Sequence, residues 1–221
     1  MKLSQRVRVP NTELDVSPLC LGTMTFGNPV EEPRAIAMVH ACLELGINFF
    51  DTANVYQGYD RVRSETEVSD GKVAEVILGR ALAGRHSEAV VATKVGSPLP
   101  ANGGTLSLAP DHILTECDGS RERLQLETID IYYAHWPDDN GVPVEKTCEA
   151  FARLISSKKI RHWAISNHSL AQTQEVCRIC DDNGWPRPVM HQPPFSLLKP
   201  ELAADLLPFL ASEGIAVAPC E

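Results

Sequence analysis

The stretch NFFDTANVYQ, residues 48–57, places an acid and a phenol directly after an apolar run. Asp51 ends the run, and Tyr56 follows on a predicted loop. A phenol with a pKa of about 10 is a poor acid at neutral pH, and a nearby ammonium group lowers that pKa. The pair could therefore transfer a proton to a substrate if a cation and an orienting group join it from elsewhere in the chain.

Four further apolar runs end in hydrogen-bonding or ionisable side chains. They are AVVATKVG, ending in Lys94; IDIYYAHWPD, ending in His135; HWAISNHS, ending in Ser166 and Asn167; and PVMHQPPFS, ending in Gln192. The carboxyl ends of parallel strands meet on one side of a barrel, where catalytic groups collect. We therefore predict that these side chains surround one pocket.

The chemistry available in such a pocket is proton transfer to a carbonyl oxygen. Lys94 would lower the pKa of Tyr56, and Asp51 would keep the lysine charged and aimed. A neutral His135 would hydrogen-bond a substrate oxygen and orient it. These groups include no strong nucleophile and no metal cage, so a hydride must come from a cofactor.

A second group of side chains suits an amide ligand. Ser166, Asn167 and Gln192 offer complementary hydrogen-bond donors and acceptors of the kind that hold a carboxamide. A nicotinamide carries such a carboxamide, so these residues are candidates for binding the cofactor ring.

Seven short apolar runs, which suit buried parallel strands, alternate with longer amphipathic stretches. The runs are Leu19–Gly22, Ile47–Phe50, Ala89–Ala92, Ile129–Tyr133, Trp163–Ile165, Val189–Met190 and Ile215–Ala218. The helical stretches are residues 31–46, 70–84, 108–125, 142–159, 169–184 and 199–214, and Pro208 is expected to kink or split the last of them.

This alternation predicts an α/β fold with a parallel sheet and right-handed crossovers. Seven strands with six intervening helices favour a (β/α)8 TIM-barrel type over a doubly wound sheet. The doubly wound alternative would carry a GxGxxG motif after its first strand, where this chain has GTMTFGNP instead.

Composition narrows the classes of partner and the compartment. A formal net charge of −9 argues against a nucleic-acid partner. No run of 18 or more apolar residues is present, so no membrane span is expected, and the N-terminus lacks an apolar signal core. The seven cysteines show no framework spacing and indicate reduced thiols in a cytoplasmic protein.

In series, the motifs CLGTMTFG, NFFDTANVYQG, ATKVG, IDIYYAHWPD, AISNHS and MHQPPFSLL resemble those of the aldo-keto reductases. The resemblance runs from about residue 6 to the C-terminus. It implies a (β/α)8 barrel that uses NADP(H) to reduce a small-molecule aldehyde or ketone.

The resemblance also assigns roles to residues of this chain. It implies a catalytic set with Tyr56 as the general acid. That set is Asp51, Tyr56, Lys94 and His135. It implies cofactor contacts from the nicotinamide-amide binders and from the end of the first strand. These are Gly22, Thr23, Asp51, Ser166, Asn167 and Gln192, with no metal ligand.

Three features depart from the family pattern. An insertion, DRVRSETEVSDGK, follows Tyr59 and is either a surface loop or a lid over the active face. Cys220 lies near the position where the family places an aromatic ring on the nicotinamide. The chain ends at Glu221, after the seventh predicted strand, so we expect a single domain, residues 1–221, with strand eight missing.

An open barrel would leave two sheet edges with unpaired backbone groups. We therefore expect marginal stability for the chain alone, or self-association or a partner that covers the edge. Two alternatives to an active reductase follow. One is a non-catalytic, cofactor-binding regulatory subunit resembling potassium-channel β subunits, and the other is an inactive truncated remnant.

Overall fold

The computed structural model describes residues 5–56, 73–97, 107–198 and 200–220. Its strands are β1 (Val7–Arg8), β2 (Asp15–Val16), β3 (Cys20–Gly22), β4 (Phe49–Asp51), β5 (Val90–Val95), β6 (Ile129–Ala134), β7 (Ile160–Ser166), β8 (Met190–Gln192) and β9 (Ala216–Val217). Its helices are α1 (Glu32–Glu44), α2 (Val73–Ala81), α3 (Pro110–Leu124), α4 (Val144–Ser156), α5 (Leu170–Asn183) and α6 (Leu206–Ser212). The predicted insertion after Tyr59 lies outside the described residues.

Strands β3 to β9 form one curled, seven-stranded parallel sheet in strict sequence order. Consecutive strands pair directly; for example, Phe50 lies opposite Val91, and Tyr133 lies opposite Ala164. Helices α1 to α6 lie in the connections between the strands. The predicted α/β barrel-type fold with seven strands is therefore confirmed for the described part of the chain.

The two faces of the sheet carry separate apolar cores, because successive residues of a strand point to opposite faces. Residues on the concave face form one cluster with the N-terminal hairpin: Val9, Leu14, Val16, Phe49, Val90, Ala92, Ile131, Tyr133, Ala164, Val189 and Met190. Their strand neighbours on the other face pack among the helices; Phe50 and Val91 belong to one such cluster, and Tyr132 and Trp163 to another. Alternation therefore decides which side chains can reach the mouth of the curled sheet.

Two local features differ from the sequence prediction. An antiparallel hairpin, β1 with β2, precedes the sheet and was not predicted, because its strands are only two residues long. The last predicted helix is split, but the split comes before Pro208. Residues Glu201–Ala203 form a 3-10 turn, and Pro208 lies in the first turn of α6, where a missing N–H is tolerated.

None of the helices in the described ranges is both long enough and apolar enough to span a bilayer.

Candidate active site

The predicted site residues lie at the carboxyl ends of their strands and on the concave face. Asp51 follows Phe49 by two residues, Lys94 follows Ala92, and Gln192 follows Met190, and each of the earlier residues belongs to the concave core. Likewise, His135 follows Tyr133 by two residues and Ser166 follows Ala164 by two, and both earlier residues belong to the concave core. The strand period thus collects side chains from five strands at one mouth.

Lys94 is the centre of this group. Its side chain is fully buried and forms an ion pair with Asp51. Its Nζ also donates to the carbonyl oxygen of Thr52 at 2.8 Å and to the hydroxyl of Tyr56 at 3.2 Å. Burial opposes the charge, but the Asp51 carboxylate and the Tyr56 hydroxyl raise the pKa of Lys94 above its usual value, so the ammonium is retained.

Tyr56 is held as a protonated phenol. Burial raises the pKa of Tyr56, and the Lys94 ammonium lowers it by less than burial raises it. Lys94 therefore lowers the pKa of Tyr56 as expected, but the net shift is upward, because desolvation of the ring outweighs the charge. The consequence is a phenol that keeps its proton at neutral pH, with a cation beside its oxygen.

His135 borders Tyr56 and carries no charge. Their rings meet edge to face, with centroids 5.9 Å apart. Burial, with a smaller contribution from Lys94, holds the pKa of His135 well below its usual value. Its Nδ1 lies 2.7 Å from Oγ of Ser97, a residue that the sequence prediction missed.

The three predicted amide-binding residues are hydrogen-bonded to one another and to the proton-transfer group. Ser166 is fully buried and donates from Oγ to the carbonyl oxygen of Gln192 at 2.8 Å. Nδ2 of Asn167 donates to the carbonyl oxygen of His135 at 2.9 Å and to Oγ of Ser166 at 3.1 Å. Nε2 of Gln192 donates to Oδ2 of Asp51 at 3.0 Å.

This arrangement fits a carboxamide ligand. Within the described ranges, no hydrogen bond engages Oδ1 of Asn167 or Oε1 of Gln192, so both oxygens can accept. A carboxamide NH₂ presents two donors, which these two acceptors match. Ser166 acts through its neighbours, because its hydroxyl is already used inside the fold.

Gly22 and Thr23 border the site from the first strand of the sheet. Gly22 lies opposite Asp51 in the β3–β4 register, and a Cβ added there would meet no atom within 4 Å. Thr23 is buried and donates to the carbonyl oxygen of Asp51 through both its N–H (2.9 Å) and its Oγ1 (3.1 Å). Gly22 therefore leaves space beside the carboxylate, whereas Thr23 holds the backbone of Asp51.

The loop that carries Tyr56 is anchored by a contact that sequence patterns do not reveal. Nδ2 of the buried Asn54 donates to Oε2 of Glu116 on α3 at 2.7 Å. Thr52 N–H donates to the carbonyl oxygen of Ala92 at 2.9 Å, which extends the β4–β5 pairing into the loop. These bonds fix the chain between Asp51 and Tyr56.

Cys220 lies past the end of β9, where it forms an isolated bridge with Pro194. Its side chain is half-buried, and its thiol lies 3.8 Å from the carbonyl oxygen of Pro193. The aromatic ring that the family pattern places near this position is not supplied by this residue.

The sequence matches one protein family along most of its length. A model described as the aldo/keto reductase family matches residues 18–221. The chain belongs to the aldo/keto reductase family. Members of this family are oxidoreductases that typically bind a nicotinamide cofactor.

The relatives that this chain resembles include proteins named as reductases and proteins named as channel subunits. Human aflatoxin B1 aldehyde reductase member 2 is 32% identical over 197 residues, which cover 88% of this chain and 50% of that protein. A probable voltage-gated potassium channel subunit beta from rice is 32% identical over 209 residues, or 91% of this chain and 58% of that protein.

A solved structure supports the same assignment. The holo form of an aldo-keto reductase from Bacillus halodurans matches with a TM-score of 0.77 and 26% identity, over 98% of this chain and 65% of that chain. The chain of residues 1–221 spans about half the length of the curated relatives that it matches.

Proposed function

We propose that this chain reduces the carbonyl group of an aldehyde or ketone to an alcohol with NADP(H), and that Tyr56 is the general acid. The observation that carries the proposal is the placement of the Tyr56 hydroxyl 3.2 Å from Nζ of Lys94, with a neutral His135 beside the same ring. The small-molecule carbonyl is the substrate class that this donor suits.

A bound nicotinamide cofactor would supply a hydride to the carbonyl carbon. As negative charge develops on the carbonyl oxygen, Tyr56 gives its proton to that oxygen. The phenolate left behind is stabilised by the Lys94 ammonium, which Asp51 and the Thr52 carbonyl hold in place. Because these groups are buried, their electrostatic interactions are stronger than they would be in water.

Oδ1 of Asn167 and Oε1 of Gln192 would hold the nicotinamide carboxamide, as the free acceptors of the site permit. Ser166 would hold both residues in place through its hydrogen bonds to the carbonyl oxygen of Gln192 and to Nδ2 of Asn167. The absence of a side chain at Gly22 would leave room for the ring. The choice of NADP(H) over NAD(H) rests on the family resemblance.

A second candidate is a regulatory subunit that binds the cofactor without turnover. The observation that favours it is the similarity to a probable potassium channel β subunit from rice. In this alternative, a partner protein would cover the open edges of the sheet.

The test combines cofactor binding with turnover. NADPH would be titrated against the protein and followed by tryptophan fluorescence, with Trp136 next to His135 as the reporter. Binding with turnover of an aromatic aldehyde supports the reductase, binding without turnover supports the regulatory subunit, and absence of binding at micromolar NADPH contradicts both.

The general-acid role has its own pair of variants. Tyr56→Phe should lower kcat by about 100-fold or more while leaving NADPH affinity nearly unchanged. Tyr132→Phe is the matched control, because this buried hydroxyl points among the helices, has no hydrogen-bond partner in the described residues and should be dispensable. A Tyr56→Phe variant with the wild-type rate would refute the assignment.

A further inference from the structure

We propose that Ser97 is a positioning residue for His135: its hydroxyl donates to Nδ1 and thereby fixes the ring tautomer whose Nε2 carries the proton. This inference rests on the proposed function and on the expectation that a neutral His135 hydrogen-bonds the substrate oxygen. A carbonyl oxygen only accepts hydrogen bonds, so His135 must be the donor.

The geometry of the contact is specific. Oγ of Ser97 and Nδ1 of His135 are 2.7 Å apart, and both residues are buried. Within the described part of the chain, the His135 ring makes no other hydrogen bond. Its Nε2 therefore remains available to a substrate.

The backbone holds the two residues in fixed relation. His135 N–H donates to the carbonyl oxygen of Val95 at 2.8 Å, which extends the β5–β6 pairing to the histidine. Between Val95 and Ser97, Gly96 adopts a φ of +85°, and a Cβ there would clash with the Leu108 side chain. The serine is therefore presented by a turn that only glycine fits.

The direction of the proton follows from the chemistry of a neutral ring. Burial, helped by Lys94, keeps the pKa of His135 low, so one ring nitrogen carries a proton and the other carries a lone pair. If Nδ1–H donated to Ser97, the lone pair of Nε2 would face the carbonyl oxygen of the substrate and repel it. A serine hydroxyl can rotate to donate, and a donation to Nδ1 leaves Nε2–H available for the substrate.

The sequence position of Ser97 explains why the pattern of strand ends does not reveal it. Ser97 follows the end of β5, three residues after Lys94, and its partner His135 is 38 residues away in the sequence. Its role is to orient His135, which in turn contacts the substrate.

The first arm of the test measures the tautomer without turnover. In ¹⁵N-labelled protein, long-range ¹H–¹⁵N spectra should show His135 as the Nε2–H tautomer, with the signals assigned by their loss in His135→Asn. Ser97→Ala should shift this ring towards a mixture of tautomers, and Ser97→Thr should restore the Nε2–H form. An Nδ1–H tautomer in the wild-type protein, or an unchanged tautomer in Ser97→Ala, would overturn the proposal.

The second arm measures kinetics. Ser97→Ala should lower kcat by about tenfold, the size expected for loss of one hydrogen bond, with the NADPH Kd unchanged, and Ser97→Thr should recover most of the rate. Equal kcat for wild type and Ser97→Ala would also overturn it. Absence of turnover in the wild-type protein would instead count against the proposed function, while the tautomer spectra would still decide the role of Ser97.

Discussion

Gln192 and Asp51 are joined by a hydrogen bond of 3.0 Å from Nε2 to Oδ2, although 141 residues separate them in the sequence. The other carboxylate oxygen of Asp51 pairs with Lys94. One carboxylate therefore links the proposed carboxamide-binding side of the site to the proton-transfer side. Substitutions at these residues should affect both stability and catalysis.

The Lys94–Asp51 pair should be strongly coupled. Lys94→Met would leave the carboxylate without its cation in a buried site, which should lower the free energy of unfolding by about 3–5 kcal/mol. The double variant Lys94→Met/Asp51→Asn should be less destabilised than the sum of the two single variants, as measured by urea unfolding.

The exposed pair Arg178–Asp182 on α5 provides the control for this cycle. The corresponding substitutions there should change the free energy of unfolding by no more than about 0.5 kcal/mol. Additive effects at Lys94 and Asp51 would contradict the coupling.

Gly22 should control access of the cofactor ring without supporting the fold. Gly22→Leu would fill space beside Asp51 that no atom now occupies within 4 Å of the added Cβ. We expect the NADPH Kd to rise by about tenfold or more, equivalent to about 1.4 kcal/mol, with little change in thermal stability. Gly22→Ala is the graded control and should have a smaller effect; a wild-type Kd for Gly22→Leu would show that the ring binds elsewhere.

The Asn54–Glu116 hydrogen bond should determine how firmly Tyr56 is held. Asn54→Asp would replace the amide donor with a second carboxylate facing Glu116, and the like charges should destabilise the fold by about 1–3 kcal/mol. Adding Glu116→Gln restores a donor and should recover part of both the unfolding midpoint and kcat. A double variant no better than Asn54→Asp would argue against direct contact.

Stability should fall between about pH 7 and pH 5 because of two buried histidines. Burial lowers the pKa of His168 to about 4, and burial together with His168 lowers the pKa of His191 to about 4, from an ordinary value of 6.5. The unfolded chain then binds protons that the folded chain does not, so the stabilisation is complete above pH 6.5 and is lost as the pH falls towards 4. At about pH 5 each histidine should account for a loss of about 2 kcal/mol.

Urea unfolding at about pH 7 and about pH 5 measures this loss in the free energy of unfolding. His191→Gln is the informative variant, because it keeps a nitrogen donor for the carbonyl oxygen of His168 but cannot titrate in this range. Its pH dependence should be shallower than that of the wild-type chain. Equal slopes for the two proteins would show that His191 is not a source of the effect.

Much of the sheet could be predicted because strands buried on both faces give continuous apolar runs. The prediction of strand bounds was incomplete where polar, partly exposed residues lie near the start of a strand. Trp163–Ile165 was predicted, whereas β7 starts at Ile160, because Arg161 and His162 near its start are polar and interact with Glu13 of the hairpin. Such contacts depend on the tertiary structure and have no local signature.

The same limit applies to the site. Asp51, Lys94 and Gln192 could be placed together because each ends a strand of a parallel sheet. Ser97 and Asn54 could not be, since their partners are 38 and 62 residues away and no periodic pattern connects them. The direction of the Tyr56 pKa shift was also beyond the sequence, because it depends on how completely the ring is desolvated.

Strand alternation also sets a tolerance to insertions and deletions. In β5, Ala92 and Lys94 face the mouth of the sheet, while Thr93 faces the helices, where it donates to the buried carboxylate of Glu75 at 2.5 Å. Inserting one residue upstream in this strand would exchange the two faces, aiming a threonine at Tyr56 and a lysine at the helices. Single-residue length changes should therefore be confined to the loops, while the strands accept substitutions alone.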